Sequence, residues 1–84
     1  MLFRSLTIYS RPGCHLCDEM KAVVHRVSVS IPLSLHEVDI SGDAELERLY
    51  GLEIPVLMID GKKVAKYRIA EAELLRIVTR RAEG

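Results

Sequence analysis

The chain has 84 residues, 49% hydrophobic, 29% charged and 5% aromatic, and its 12 Lys/Arg balance its 12 Asp/Glu. That length makes residues 1–84 a single domain, because two halves would each be too short to sustain a core unaided. Hydrophobicity at this level with no net charge excludes a disordered chain, and it argues against a general binder of nucleic acid or of an anionic membrane, which needs a basic excess.

Leu6-Thr7-Ile8-Tyr9 combines β-branched and bulky groups, as a strand does, and ends in the turn sequence Ser10-Arg11-Pro12-Gly13. From Cys14 the period changes. Leu16, Met20, Val23, Val24 and Val27 recur at helical spacing, with Asp18, Glu19, Lys21, His25 and Arg26 largely elsewhere, which predicts an amphipathic helix carrying both cysteines in its first turn. Ser28 to Ser34 breaks the pattern and reads as a connection, and Leu35-His36-Glu37-Val38-Asp39 reads as a strand whose charges suit a sheet edge. A short helix follows from near Ser41 to Asp43, with Leu46, Leu49 and Tyr50 on one face. Gly51 is placed to end it in a left-handed cap, with Leu52 as the apolar contact that accompanies such caps.

Val56-Leu57-Met58-Ile59 is apolar without alternation, as in a central strand covered on both faces. Asp60-Gly61 signals a hairpin into the charged strand Lys62 to Ala65. Ala70, Leu74, Ile77 and Val78 mark a last helix, with Arg76, Arg80 and Arg81 suited to its C-terminal end. Met1 to Arg4 and Ala82 to Gly84 read as frayed ends. The order β-α-β-α-β-β-α, with a right-handed crossover and one hairpin, predicts an α/β sandwich with a four-stranded mixed sheet and helices on both faces. The longest apolar run, Ile54 to Ile59, is far too short to span a bilayer, and Met1 to Phe3 is too short for a secretory signal. The expectation is a soluble, cytoplasmic protein with no membrane partner.

The two cysteines, Cys14 and Cys17, close too small a loop for their bridge to add much stability, so chemistry is the better reason for the pair. A dithiol centre needs an attacking sulfur and a second sulfur near enough to resolve the mixed disulfide. At a helix start the free amides and the dipole favour a thiolate at Cys14, while Cys17 faces inward as the resolving group. His15, if protonated, would help the Cys14 thiolate, and Asp18 and Glu19 would oppose it. A structural zinc site would need two more ligands from scattered histidines or carboxylates. Haem attachment would need histidine at position 18, where the chain has aspartate. Two inert buried thiols are the remaining bland reading.

Pro55 opens a central strand, where a trans proline is tolerated at the first position. A cis Ile54-Pro55 peptide would instead turn the chain sharply and expose the backbone of Ile54 to a partner peptide. Tyr9 reads as a strand-end packing residue, Tyr50 and Met58 read as core, and Lys62, Lys63, Lys66 and Arg68 as a charged edge.

Ile8 to Cys17, followed by Gly51 to Leu57 and the Asp60-Gly61 hairpin, resembles the glutaredoxin-like branch of the thioredoxin-fold superfamily across Leu6 to Val78. The resemblance implies a thioredoxin-like sheet flanked by three helices, Cys14 as nucleophile, Cys17 as resolving thiol and a cis Pro55 beside them. Arg11 matches a basic residue that contacts glutathione in that family, and Ile54 matches its backbone docking position. The family commonly has Cys-Pro-Tyr-Cys, whereas His15 and Leu16 stand here. Its later Gly-Gly turn and aspartate, which hold the γ-glutamyl end of glutathione, correspond to Val64-Ala65-Lys66-Tyr67-Arg68, without the glycine pair or the acid.

The expected function is thiol-disulfide exchange on protein or mixed disulfides, a part in cell redox homeostasis. It needs no tightly bound cofactor and no metal, and glutathione enters as reductant or substrate with weak selectivity. The partners are a disulfide-containing protein or a low-molecular-weight thiol, and an external reductant or reductase. A redox-switched peptide-binding module and a metal or iron-sulfur protein are the alternatives.

Overall fold

Alternation along β1 (Arg4–Ser10) decides how the layers assemble. Leu6 and Ile8 are fully buried on one face, opposite Ile59 and Leu57 of the antiparallel β3 (Val56–Ile59). Met20, Val24 and Val27 of α1 (His15–Ser28), and Leu74 and Val78 of α3 (Glu71–Glu83), complete that core. The other face carries Thr7, Tyr9, Met58 and Val56. There the ring of Tyr9 stacks on Tyr50 of α2 (Ala44–Tyr50), with centroids 4.5 Å apart. Successive strand residues point to opposite faces, so one sheet can bind α1 and α3 on one side and α2 on the other. The computed structural model describes residues 4–83.

With β2 (Leu33–Asp39) and β4 (Lys62–Lys66), the sheet order is β2-β1-β3-β4. β2 runs parallel to β1, and β3 is antiparallel to both β1 and β4. The two charged strands lie at the edges, and the apolar β3 lies inside, fully buried at Val56, Leu57 and Ile59. Asp60 and Gly61 have φ of 53° and 83°, the positive pair that a two-residue turn of type I′ demands. A register shift opposite Leu57 and Met58 leaves Val64 as the extra residue of a bulge in β4.

Several local expectations change. β2 begins at Leu33, so the connection before it is shorter than Ser28 to Ser34. Arg4 is not frayed: it starts β1 and donates from Nη2 to Asp60 Oδ2 at 2.6 Å, tying the strand to the hairpin. Ala82 belongs to α3, which runs to Glu83, while Met1, Leu2, Phe3 and Gly84 lie outside the described residues. Ala70 precedes α3 and is exposed, accepting from Leu74 N–H at 3.0 Å instead of joining the core. Tyr50 and Met58 are half-buried rather than core.

Gly51 does not form the left-handed cap. Its φ is −55°, and the chain continues in a right-handed turn in which Glu53 N–H donates to the Tyr50 carbonyl at 2.8 Å. That bond satisfies a terminal carbonyl without a left-handed residue, and it leaves Leu52 94% exposed, away from any cap contact. The missing side chain has a different use. A Cβ at position 51 would lie 2.5 Å from the Glu47 carbonyl oxygen and 2.9 Å from Glu47 Oε1, the carboxylate that holds Arg11.

Candidate redox site

β1 ends at Ser10, and the loop of Arg11, Pro12 and Gly13 delivers Cys14 to the start of α1. Gly13 takes φ 79°, a conformation that favours glycine, and Cys14 N–H donates to the Arg11 carbonyl at 3.2 Å to close the turn. Cys14 is the N-cap itself, with φ −84° and ψ 108°. Its Sγ accepts from Cys17 N–H at 3.1 Å, the place that a serine or aspartate oxygen takes in other helices. A sulfur there faces the free amides of the first turn and the positive end of the helix dipole, groups that stabilise negative charge.

Cys17 lies one turn in, 2% exposed, with its Cα 5.2 Å from that of Cys14, and the two form a disulfide. Cys14 itself is half-buried. The pair therefore has one sulfur near solvent and one in the wall of the core. Disulfide and fold together make this a thiol-disulfide redox site.

Pro55 follows a cis peptide bond from Ile54 and is buried. Tyr9 pairs with Val56, so Pro55 lies one residue past the end of the β1–β3 ladder, level with the start of the loop that carries Cys14. The fold thus brings Ile54 and Pro55 to the same end of the sheet as the cysteines. Arg11 is also there, but its guanidinium is engaged with Glu47 of α2. His15 is 87% exposed, and its Nε2 lies 3.4 Å from Glu19 Oε2, along the helix.

The segment expected to replace a Gly-Gly turn contains a residue forced into glycine's conformation. Tyr67 has φ 71°, its hydroxyl donates to the Leu52 carbonyl at 3.2 Å, and the Lys66 ammonium lies 5.4 Å from its ring centroid. A cleft of about 310 Å³ opens beside it, lined by Glu19, Met20, Val23, Tyr67, Arg68, Ile69 and Ala70. Arg68 Nη1 lies 3.5 Å from Glu19 Oε1. Among the described residues, no group of three or more His, Cys, Asp or Glu side chains is arranged to hold a metal ion, and no helix is long and apolar enough to cross a membrane.

Sequence patterns did not reveal Glu47, nor the cluster beneath Cys17. Ser10 Oγ and Lys21 Nζ both donate to Glu37 Oε2 at 2.9 Å, and Lys21 Nζ lies 3.5 Å from Asp18 Oδ1. Only the Lys21–Asp18 pair was within reach of helical spacing. The ammonium and the Ser10 hydroxyl hold the Glu37 carboxyl below its ordinary value of 4.5, and Glu37 in turn raises Lys21 above 10.5. The Ser41 hydroxyl and amide likewise lower Asp39.

These directions fix a pH dependence. Glu37 contributes stability above pH 4.5 and loses it as pH falls through its lowered value, whereas Lys21 contributes below pH 10.5 and loses it above its raised value. The melting temperature of the protein is therefore expected to exceed that of a Glu37→Gln variant at neutral pH, with the gap closing in acid below the ordinary value of 4.5. A gap unchanged down to acid denaturation would show that the pair adds nothing.

A half-exposed cysteine capping the helix after the first strand, a buried second cysteine one turn on, and a cis proline before an antiparallel strand define the chain as a thioredoxin-fold protein with a dithiol site. Comparison with known proteins narrows the class. The family described as Glutaredoxin-like domain (DUF836) matches residues 5–79. A glutaredoxin-like protein of Dictyostelium discoideum is 35% identical over 82 residues, spanning 86% of this chain and 74% of that protein. Protein Ne2328 of Nitrosomonas europaea, solved by NMR, aligns with a TM-score of 0.80 at 30% identity, over 92% of this chain and 93% of its own. The X-ray structure of XcR50 from X. campestris gives 0.77 at 30% identity, over 89% and 96% of the two chains. The chain belongs to the glutaredoxin-like family.

Proposed function

We propose that the protein is a thiol-disulfide oxidoreductase that reduces disulfides in proteins and mixed disulfides. The Cys14 thiolate attacks one sulfur of the substrate disulfide and displaces the other, giving a mixed disulfide. Cys17 then attacks Cys14, forming the Cys14–Cys17 bond and releasing the second substrate thiol. Two protein thiols are oxidised as one disulfide is reduced. An external reductase or low-molecular-weight thiol restores the dithiol, a cycle suited to a reducing cytoplasm. The observation that carries this reading is the asymmetry of the pair: Cys14 caps the helix at half exposure while Cys17 is 2% exposed.

The Ile54 backbone beside Pro55 is the docking position for an extended substrate segment, while Arg11, the expected anion contact at the same end of the sheet, is held by Glu47. Glutathione is a poor match. Arg11 already pairs with Glu47, and Ala65, Lys66 and Arg68 supply no acid for an ammonium group. A single missing charge-assisted hydrogen bond corresponds to roughly tenfold or more in affinity.

The reduced protein is therefore expected to exchange faster with an internally disulfide-bonded peptide than with a glutathionylated one, and Arg11→Ala is expected to leave that order intact. Side-by-side rates decide it. A preference of about tenfold for the glutathionylated peptide, lost in Arg11→Ala, would restore a glutathione-dependent reading. Binding without turnover on either peptide would leave a redox-switched binding module.

A further inference from the structure

The second half of the proposed cycle poses a problem that the cysteine pair does not solve alone. Cys17 must lose its proton before it can attack, yet it is 2% exposed and sits on the core side of α1. Burial in apolar surroundings makes a thiol hold its proton. A polar cavity of about 130 Å³ adjoins Cys17, with Ser10, Arg11, Asp18, Lys21, Glu37 and Asp39 in its wall.

The charges around that cavity come from the loop after β1, from α1 and from β2. Arg11 is in the loop after β1, Asp18 and Lys21 are on α1, and Glu37 and Asp39 are on β2. Arg11 is committed to Glu47. That leaves Lys21 as the cation of the wall, with Glu37 at 2.9 Å and Asp18 at 3.5 Å from its ammonium. Lys21 follows Cys17 by four residues on the same helix, a spacing that stacks the two side chains on one face. Glu37 holds the Lys21 ammonium at 2.9 Å and is itself anchored by the buried Ser10 hydroxyl.

We propose, on the basis of the oxidoreductase reading above, that Lys21 and Glu37 are positioning residues for resolution, with opposite effects on the release of the Cys17 proton. The Lys21 charge stabilises the Cys17 thiolate. The Glu37 carboxylate opposes it, while keeping the ammonium at the cavity wall. In the step itself, the Cys17 proton passes to water in the cavity and on to solvent. The thiolate pair forms the bond to Cys14 Sγ as the bond from Cys14 to the substrate sulfur breaks. The departing sulfur carries the electron pair and takes a proton from solvent. The exchange needs no further oxidant or reductant.

Rapid mixing of the reduced protein with an internally disulfide-bonded peptide separates the first exchange, which depends on peptide concentration, from resolution, which does not. The pH profile of the second phase is the readout. An opposite charge within reach shifts a titration by about one pH unit or more. Lys21→Met is expected to move the profile up by about that much, slowing resolution roughly tenfold at neutral pH. Lys21→Arg is expected to restore it, and Glu37→Gln to move it down.

Mere loosening of the α1–β2 packing would move both neutralising variants the same way, so a common direction overturns the proposal. Superimposable profiles for the unmodified protein and Lys21→Met also overturn it, while leaving the oxidoreductase reading in place. If the unmodified protein shows no concentration-independent phase at all, the proposed cycle fails and this inference with it.

Discussion

Cys17→Ser is expected to stop the cycle halfway: the first exchange proceeds, and a mixed disulfide accumulates on Cys14. The geometry supports this division. Cys14 is the N-cap sulfur, half-exposed and facing the first-turn amides. Its hydrogen bond comes from the Cys17 backbone amide at 3.1 Å, which serine keeps. Resolution needs a second sulfur at this spacing, and among the described residues there is no other cysteine. Cys14→Ser should lose both steps, because a sulfur that is 2% exposed cannot meet a folded substrate. Mass spectrometry of the trapped adduct and turnover of a disulfide-bonded peptide measure the two effects. Two-thiol turnover should fall to the uncatalysed rate in both variants, with an adduct only in Cys17→Ser. An adduct on Cys17 in the Cys14 variant would reverse the roles, and glutathione-dependent turnover in Cys17→Ser would reveal a one-thiol route.

Leu57→Ala is expected to be strongly destabilising. Leu57 is fully buried in β3, paired with Ile8 on one side and Ala65 on the other, and belongs to the core shared by the sheet, α1 and α3. Truncating such a leucine costs about 2–5 kcal/mol, of which part reflects the cavity left behind. Domains are stable by only about 0.05–0.15 kcal/mol per residue, so the loss would consume much of the stability of a chain this short. Leu52→Ala is the control. Leu52 is 94% exposed, and the same truncation there should stay within about 0.5 kcal/mol. Urea midpoints of the oxidised proteins compare the two directly. Similar losses at both positions would contradict the burial pattern.

Reading the chain in order was enough for the elements, the sheet and the two cysteines, because each is encoded locally. The switch from period two to period 3.6 at Cys14 marks the strand-to-helix junction, and the helix start makes a cysteine there distinct from a cysteine one turn later. Pro55 before an apolar run and Asp60-Gly61 after it bound β3 at both ends. Where local signals failed, a non-local bond had intervened. Arg4 looked like a frayed end because its partner, Asp60, lies 56 positions away. Gly51 looked like a helix cap because small residues have more than one use, and its use here is to leave room for the Glu47 carboxylate that binds Arg11.

The charged side chains divide the same way. Glu37 and Lys21 read as an edge-strand acid and a solvated helix base, and only the parallel pairing of β2 with β1 sets Glu37 beside Ser10 at the end of the site. Arg11 read as an open anion contact, and only the packing of α2 on the far face of the sheet supplies the carboxylate that occupies it. By itself the sequence determined the order of elements, the paired cysteines at a helix start and the end of the sheet where they lie, since these follow from residues close together in the chain. The tertiary structure alone decided which charges face Cys17 and which are already paired. Charge interactions depend on distance in space, and residues 16 or 36 positions apart come within bonding distance only when strands and helices from separate parts of the chain are packed together.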